Sequence, residues 1–332
     1  MKVFLVLGSN SFSGSHFVKT ALQKGNRVIG VSRSKEINNV FLPYKWDSSL
    51  DLDNFEFNQL DINYQLDELI NLIDETRAQY IINFAAQGMV AESWNNPTDW
   101  YKTNLLSQVK FHDGIKDKSF IEKYVHVTTP EVYGSTDHGW IKENYNFQPN
   151  TPYAVSRAAC DLHLLSFFKA YNFPVVFTRS ANVYGPGQQL YRIIPRTILS
   201  IRTKKPLSLH GGGESERSFI HINDVVEATY NIALRAKPGT TWHLSTKECI
   251  SIKELVKKMC DLSDVKFESI VEITNERLGK DQSYLLDSSK VRENMDWQDK
   301  ISLKRGLEET FEWVDQNIHR LKTLPWSYQH KS

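Results

Sequence analysis

Short apolar runs alternate through the first half of the chain with longer segments in which apolar residues recur at helical spacing. Residues 2–7, 27–32, 55–60, 80–84, 123–128 and 174–178 read as strands, the first as a buried one. Helices are predicted over 66–76, 98–115, 152–171 and 224–234, and over 15–24, where Phe17, Val18, Ala21 and Leu22 share a face and Gly25 ends the pattern. Repeated strand–helix units of this kind build an α/β fold with a doubly wound parallel sheet. The alternation breaks after Tyr184, where GPGQQLYRIIPR and GGGESER bring loops and basic residues. A smaller mixed α/β domain is therefore expected from 180–217 and 246–332, with helices at 252–260 and 303–318. The larger domain takes 1–179, and 218–245 returns to it.

Composition narrows the function classes. The chain has 332 residues, with 40 Lys and Arg against 39 Asp and Glu, a formal charge of +1. That balance argues against a generic binder of nucleic acid. With 40% hydrophobic and 24% charged residues it is a globular composition. No apolar run approaches the ~18 residues of a membrane span. The run Val3 to Leu7 is also shorter than the roughly 7–15 residues of a secretory core, so a cytoplasmic protein is expected. Cys160, Cys249 and Cys260 lie far apart and read as free buried thiols, and no metal site is expected.

Directly after the first strand comes GSNSFSG, with Gly8 and Gly14 framing a turn into a helix. In a Rossmann unit such glycines let backbone approach a pyrophosphate at a helix N-terminus. The second strand is followed by Ser32 and Arg33 rather than by an acid. An acid there would hold the adenosine ribose hydroxyls, whereas Arg suits a 2′-phosphate, so NADP is expected, with NAD as the alternative. Asp61 and Ile62 are candidates for the adenine edge, although Asp61 could equally cap a turn.

TTPEVYG at 128–134 and PYAVSRA at 152–158 carry the more specific chemistry. Tyr153 and Arg157 lie four residues apart on one helical face. A Tyr hydroxyl titrates near ~10 and needs a nearby cation to act as a base around neutrality. With Thr129 bonding the same substrate oxygen, the trio can oxidise an alcohol against a nicotinamide.

On these motifs the chain resembles the extended short-chain dehydrogenases/reductases, and among them the nucleotide-sugar 4,6-dehydratases, with active-site motifs most like the GDP-mannose branch. NFAAQGMVAESW (83–94), RSANVYGP (179–186), RIIP (192–195), RSFIHIND (217–224), RLGKD (277–281) and DSSKV (287–291) also match. The resemblance implies a cofactor held by Gly8, Asn10, Ser11, Phe12, Gly14, Ser32, Arg33, Asp61, Ile62, Phe84, Ala85, Ala86, Gln87, Asn104, Thr128, Tyr153 and Arg157. It implies a nucleotide-diphosphate sugar, a GDP-sugar by preference, held by Gln87, Ser93, Glu131, Asn182, Arg192, Arg217 and Arg277, and a homodimer. Thr129, Glu131, Tyr153 and Arg157 would be catalytic. Tyr153 would take the C4 hydroxyl proton during hydride loss to the cofactor, Glu131 would take the C5 proton as the C6 hydroxyl leaves, and hydride would return to C6.

Three positions depart from the pattern. Ser11 replaces the middle glycine of the phosphate loop, Arg157 replaces the usual lysine, and Pro130 stands where many dehydratases carry an Asp. A 4-epimerase or 4-ketoreductase, which needs no base at C5, and a non-catalytic dinucleotide-binding relative stay open on sequence alone.

Overall fold

The structure, a computed structural model, describes residues 1–136, 139–275 and 283–331. Its first strands and helices are β1 (Val3–Leu7), α1 (Phe12–Gln23), β2 (Arg27–Ser32), β3 (Phe55–Gln59), α2 (Leu66–Thr76), β4 (Tyr80–Asn83), α3 (Pro97–Tyr101), α4 (Ser107–Ile115) and β5 (Lys123–Thr128). Next come β6 (Trp140–Ile141), α5 (Pro152–Tyr171), β7 (Val175–Ser180), β8 (Asn182–Tyr184), α6 (Ile193–Thr203), β9 (Leu207–His210), β10 (Glu216–Arg217), β11 (Phe219–His221), α7 (Ile222–Arg235) and β12 (Thr241–Leu244). The chain finishes with β13 (Ile250–Ser251), α8 (Ile252–Asp261), β14 (Val271–Thr274), β15 (Ser283–Leu286), α9 (Ser289–Met295) and α10 (Leu303–Leu321).

Seven parallel strands form one sheet in the order β12-β7-β5-β4-β1-β2-β3. The strands inside the edge strand β3 are buried on both faces, which is why they read as apolar runs, whereas β3 (FEFNQ) is only partly buried. Phe4, Val6, Val28 and Ile82 face a core shared with α1 and α7. Leu5, Leu7, Ile29 and Ile81 face a second core, shared with α2, α4 and α5. This is the Rossmann arrangement. Strand order reverses between β1 and β4, so the crevice at their carboxyl ends is where such a sheet binds a ligand.

A separate core joins α6, α8 and α10 around Ile198, Leu255, Met259, Leu307 and Val314. β11 pairs with β8 outside the large sheet while its Ile220 packs into the large-sheet core with α7, and β12 joins the sheet itself. Val291, Met295 and Trp297, around α9, pack into the large-sheet core. Of the cysteines, Cys160 and Cys260 are buried as expected, whereas Cys249 is exposed. Helix 98–115 forms in pieces, because Lys102–Leu106 between α3 and α4 is a π-helical turn. Among the described residues no helix is long and apolar enough to cross a membrane, and no group of His, Cys, Asp and Glu is arranged to hold a metal.

The turn after β1 depends on two glycines. Gly8 has φ +79°, and a Cβ there would stand 2.9 Å from the Ala85 amide nitrogen after β4. A Cβ on Gly14 would overlap the Gly8 carbonyl oxygen, backbone that cannot turn aside. Gly14→Ala is therefore expected to destabilise the protein by about 1–3 kcal/mol, read from the shift of the denaturation midpoint.

Candidate active site

The loop between β1 and α1 is closed by the Ser11 amide donating to the Gly8 carbonyl at 2.8 Å. Ser11 is the N-cap of α1, with φ −72° and ψ 160°, and its hydroxyl oxygen accepts from the Gly14 amide at 3.1 Å. That extended backbone does not require glycine, and serine is a strong N-cap, which explains the first departure. Phe12 follows, buried, as the first helical residue. Asn10 holds the loop after β2: its side-chain amide donates to the Ser34 and Lys35 carbonyls, both at 2.9 Å, and its backbone N–H donates to the Ser32 hydroxyl at 3.0 Å. The Asn10 Oδ1 is buried with no hydrogen-bond partner among the described residues. A glycine cradle that any Cβ would fill, a helix N-terminus and an orphaned buried acceptor fit a dinucleotide.

At the adenosine end, Arg33 donates to the Lys331 carbonyl at 3.1 Å. The first carboxylate after β2 is Glu36, which accepts from the Tyr44 hydroxyl at 2.7 Å and from Lys45 at 2.8 Å. Asp61 caps its own turn, with Oδ1 accepting from the Asn63 amide at 2.8 Å, and Ile62 packs on the helical core behind the sheet. After β4, Phe84 packs its ring 5.8 Å from that of Phe17, Ala85 donates to Asn83 Oδ1, and Ala86 is exposed. The Gln87 amide donates to Asn104 Oδ1 at 2.8 Å, and Asn104 returns a bond to the Gln87 carbonyl at 3.1 Å. Asn104 sits on the π-helical turn and also donates to the Ser156 hydroxyl, which donates to the Tyr153 carbonyl. The π turn, a common device at functional sites, thus ties the loop after β4 to the start of α5.

That start is fixed by Thr151, whose hydroxyl oxygen accepts from Ala154, and by Pro152 in the first turn. Opposite it, a 3₁₀ turn over Pro130–Tyr133 is capped by Thr129, which accepts from the Glu131 amide at 3.3 Å. Pro130 is the first residue of this turn, where its fixed φ suits the geometry and no carboxylate is offered. Thr129, Glu131 and Tyr153 meet here. Burial and the Glu131 charge push the Tyr153 phenol up, while Arg157, a Thr129 hydrogen bond and Arg192 pull it down; the balance stays above the ordinary value. Arg157 pulls the phenol down, as a nearby cation should, but burial outweighs that pull.

Arg157 is nearly fully buried, and its Nη2 donates to the Val127 carbonyl and lies 3.3 Å from His126 Nε2. One edge of the guanidinium is therefore spent inside the protein. The Thr128 hydroxyl likewise turns inward, donating to Asp161 at 3.0 Å.

Of the residues expected around a sugar nucleotide, Asn182 and Arg217 are joined by Tyr284. The Tyr284 hydroxyl donates to Asn182 Oδ1 at 2.9 Å, and the Arg217 guanidinium lies 4.3 Å from its ring centre. Arg192 is the N-cap residue of α6, exposed, and close enough to act on Tyr153. Ser93 is buried and donates to the Val90 carbonyl at 2.6 Å. Arg277 lies outside the described residues.

Sequence reasoning missed the closing segment. The Lys331 carbonyl accepts from Gln87 as well as Arg33, its amine donates to Ser34, and the Tyr328 hydroxyl donates to Gln87. His330 stacks on Trp100 and bonds Asp99 at 2.7 Å. The aromatic and basic residues after α10 were the available signal, but nothing in their spacing names a destination.

A family model described as GDP-mannose 4,6 dehydratase matches residues 5–310. The chain belongs to that family. It is an extended short-chain dehydrogenase/reductase of the nucleotide-sugar 4,6-dehydratase type, a hydro-lyase. It is 29% identical to human dTDP-D-glucose 4,6-dehydratase over 97% of this chain and 93% of that one. Two solved dTDP-glucose 4,6-dehydratases superpose closely: that of Bacillus anthracis in complex with NAD, with TM-score 0.87 and 28% identity over 98% of this chain and 100% of that one, and DesIV of Streptomyces venezuelae with NAD bound, with TM-score 0.87 and 27% identity over 96% and 98%.

For a family member that uses Tyr153 as a base, the phenol must lose its proton, so activity falls on the acidic side. Removing the Glu131 charge, which raises the phenol, moves that limb to lower pH; removing the Arg157 charge, which lowers it, moves the limb to higher pH. The pH profile of cofactor reduction in Glu131→Gln and Arg157→Gln checks both signs.

Proposed function

We propose that the enzyme uses NADP to convert a nucleotide-diphosphate hexose to its 4-keto-6-deoxy form. The observation that carries this reading is the meeting of Thr129, Glu131 and Tyr153 at the carboxyl end of β5. A nicotinamide held by the loop after β1 would supply the hydride acceptor for C4 and the hydride donor for C6. Tyr153 takes the C4 hydroxyl proton, and Thr129 bonds the same oxygen. The resulting ketone acidifies C5–H, and Glu131, beside Tyr153, removes that proton as the C6 hydroxyl leaves as water. Since Pro130 offers no acid, Glu131 passes the proton it took from C5 to the departing hydroxyl, then takes a proton from solvent and returns it to C5 once hydride has reached C6. Asn182, Arg192, Arg217 and Arg277 receive the diphosphate and its sugar.

Glu131 separates this reaction from 4-epimerisation, which needs no base at C5. In deuterated water the dehydratase puts deuterium at C5 of a 6-deoxy-4-keto product, whereas C4 inversion without water loss would overturn the reading. Glu131→Gln is expected to lower dehydration by roughly 10²–10⁴-fold while cofactor reduction persists, so the absorbance of reduced nicotinamide builds up.

NADP is favoured by Arg33 and by Glu36, whose carboxylate is held by Tyr44 and Lys45 instead of a ribose. The relatives solved with NAD make NAD the competing choice. Loss of a charge-assisted 2′-phosphate contact is worth about 1.5–3 kcal/mol, so Arg33→Ala is expected to weaken NADP by roughly tenfold or more and leave NAD within about twofold in a fluorescence titration. Tighter binding of NAD by the wild type would sink the proposal.

A GDP-sugar fits the missing acid at position 130 and the Ser32–Arg33 pair, and the relatives named for dTDP- and UDP-glucose supply the second reading. The sugar nucleotide that most raises the thermal midpoint distinguishes them. A homodimer through α4 and α5 is supported by Leu106, Val155 and Leu162, exposed apolar residues on those helices and the adjoining π turn.

A further inference from the structure

Arg157 is not simply a longer lysine. The terminal nitrogens of its guanidinium reach one bond past the position of a lysine amine, in the layer where α5 packs on β5. There Nη2 meets the Val127 carbonyl and the His126 ring, both on β5. His126 is fully buried, and burial together with the Arg157 charge lowers it to about 4, so the imidazole is neutral. A guanidinium has only protons to give, so Nε2 accepts from Nη2 and the single ring proton belongs on Nδ1, which has no partner among the described residues. Nε2 also lies 3.4 Å from Asp161 Oδ1.

Asp161 lies one turn beyond Arg157 on α5. Its other oxygen accepts from Arg179 of β7 at 2.7 Å and from Thr128 at 3.0 Å. Burial pushes its carboxyl up, but Arg179, His126 and Arg157 outweigh that and hold it below the ordinary range. The carboxylate therefore stays ionised and attracts the guanidinium by its charge, and the imidazole gives that guanidinium a fixed acceptor.

We infer that His126 and Asp161 are positioning residues for Arg157, holding its guanidinium in the one orientation that leaves its charge behind Tyr153 and its remaining donors toward the cofactor. A lysine at this position ends one bond earlier and lacks the second arm that Arg157 lays on His126 and Val127. Arg in place of Lys and the buried His–Asp pair thus act as one unit.

The inference rests on the dehydratase reading, and the two can fail separately. Wild type, His126→Gln, Arg157→Lys and the double variant are compared by fluorescence titration with NADPH, or NADH if that is what the wild type binds, and by turnover of the sugar nucleotide the wild type accepts. With Arg157 present, His126→Gln is expected to weaken the cofactor about fivefold and to lower kcat roughly tenfold with KM within about twofold. In the Arg157→Lys background both effects should shrink to less than about twofold, because the contact is already gone. Equal losses in both backgrounds would show a general structural role and overturn the inference, as would no loss with Arg157 present. If His126→Gln fails to fold in either background, His126→Asn carries the same comparison. If the wild type turns over none of the sugars, the proposed function fails, and the cofactor titrations alone decide the role of His126.

Discussion

Two guanidinium groups and one carboxylate, all nearly fully buried, hold the place where β5, β7 and α5 meet. Charges taken out of water are costly unless each is paired and hydrogen-bonded. Asp161 answers that requirement by accepting from Arg179 and Thr128, and Arg179 lies over the rings of Tyr133 and Phe147 at 5.0 and 5.1 Å. Tyr133 belongs to the 3₁₀ turn that presents Glu131, and its hydroxyl meets His243 Nε2 on β12 at 2.9 Å. The cluster therefore sets the distance between the helix that carries Tyr153 and the turn that carries Thr129 and Glu131. Removing the Asp161 charge alone would leave two buried cations without their counter-ion, a loss of the order of 3–5 kcal/mol.

Most of the sheet was legible in the chain because its inner strands are buried on both faces and its helices are amphipathic. β2, β5, α2 and α5 occupy the spans the periodicity gave. β11 was not legible: its apolar residues fit any short strand, and partner choice depends on β8, which brings no pattern of its own at three residues long. The π turn was also invisible, since residues 102–106 keep ordinary helical spacing in sequence.

The site was readable where chemistry demands a fixed spacing, as in Tyr153 and Arg157. It was unreadable where a side chain reaches past its neighbours. Asp161 continues the Tyr153–Arg157 stripe by another four residues and could have been singled out on that ground. Where the Arg157 guanidinium ends, by contrast, depends on the depth of β5 beneath the helix. The three departures from the family pattern have local reasons or local partners: Ser11 caps a helix, Pro130 starts a turn, and Arg157 meets His126.

α1, which carries the glycine cradle, packs against α7, and Asn26 just after it donates to the Tyr230 hydroxyl 204 residues later at 2.9 Å. β12, the last strand of the large sheet, adds to β7 only after residue 241. The first helix of the chain therefore has one face uncovered until more than two thirds of the polypeptide has been made. Pairings so distant in sequence close large loops before any contact rewards them, which slows folding and leaves apolar surface open in the meantime. A ribosome-bound fragment ending before α7 would hold a nearly complete row of strands with the apolar face of α1 that meets α7 still open to water.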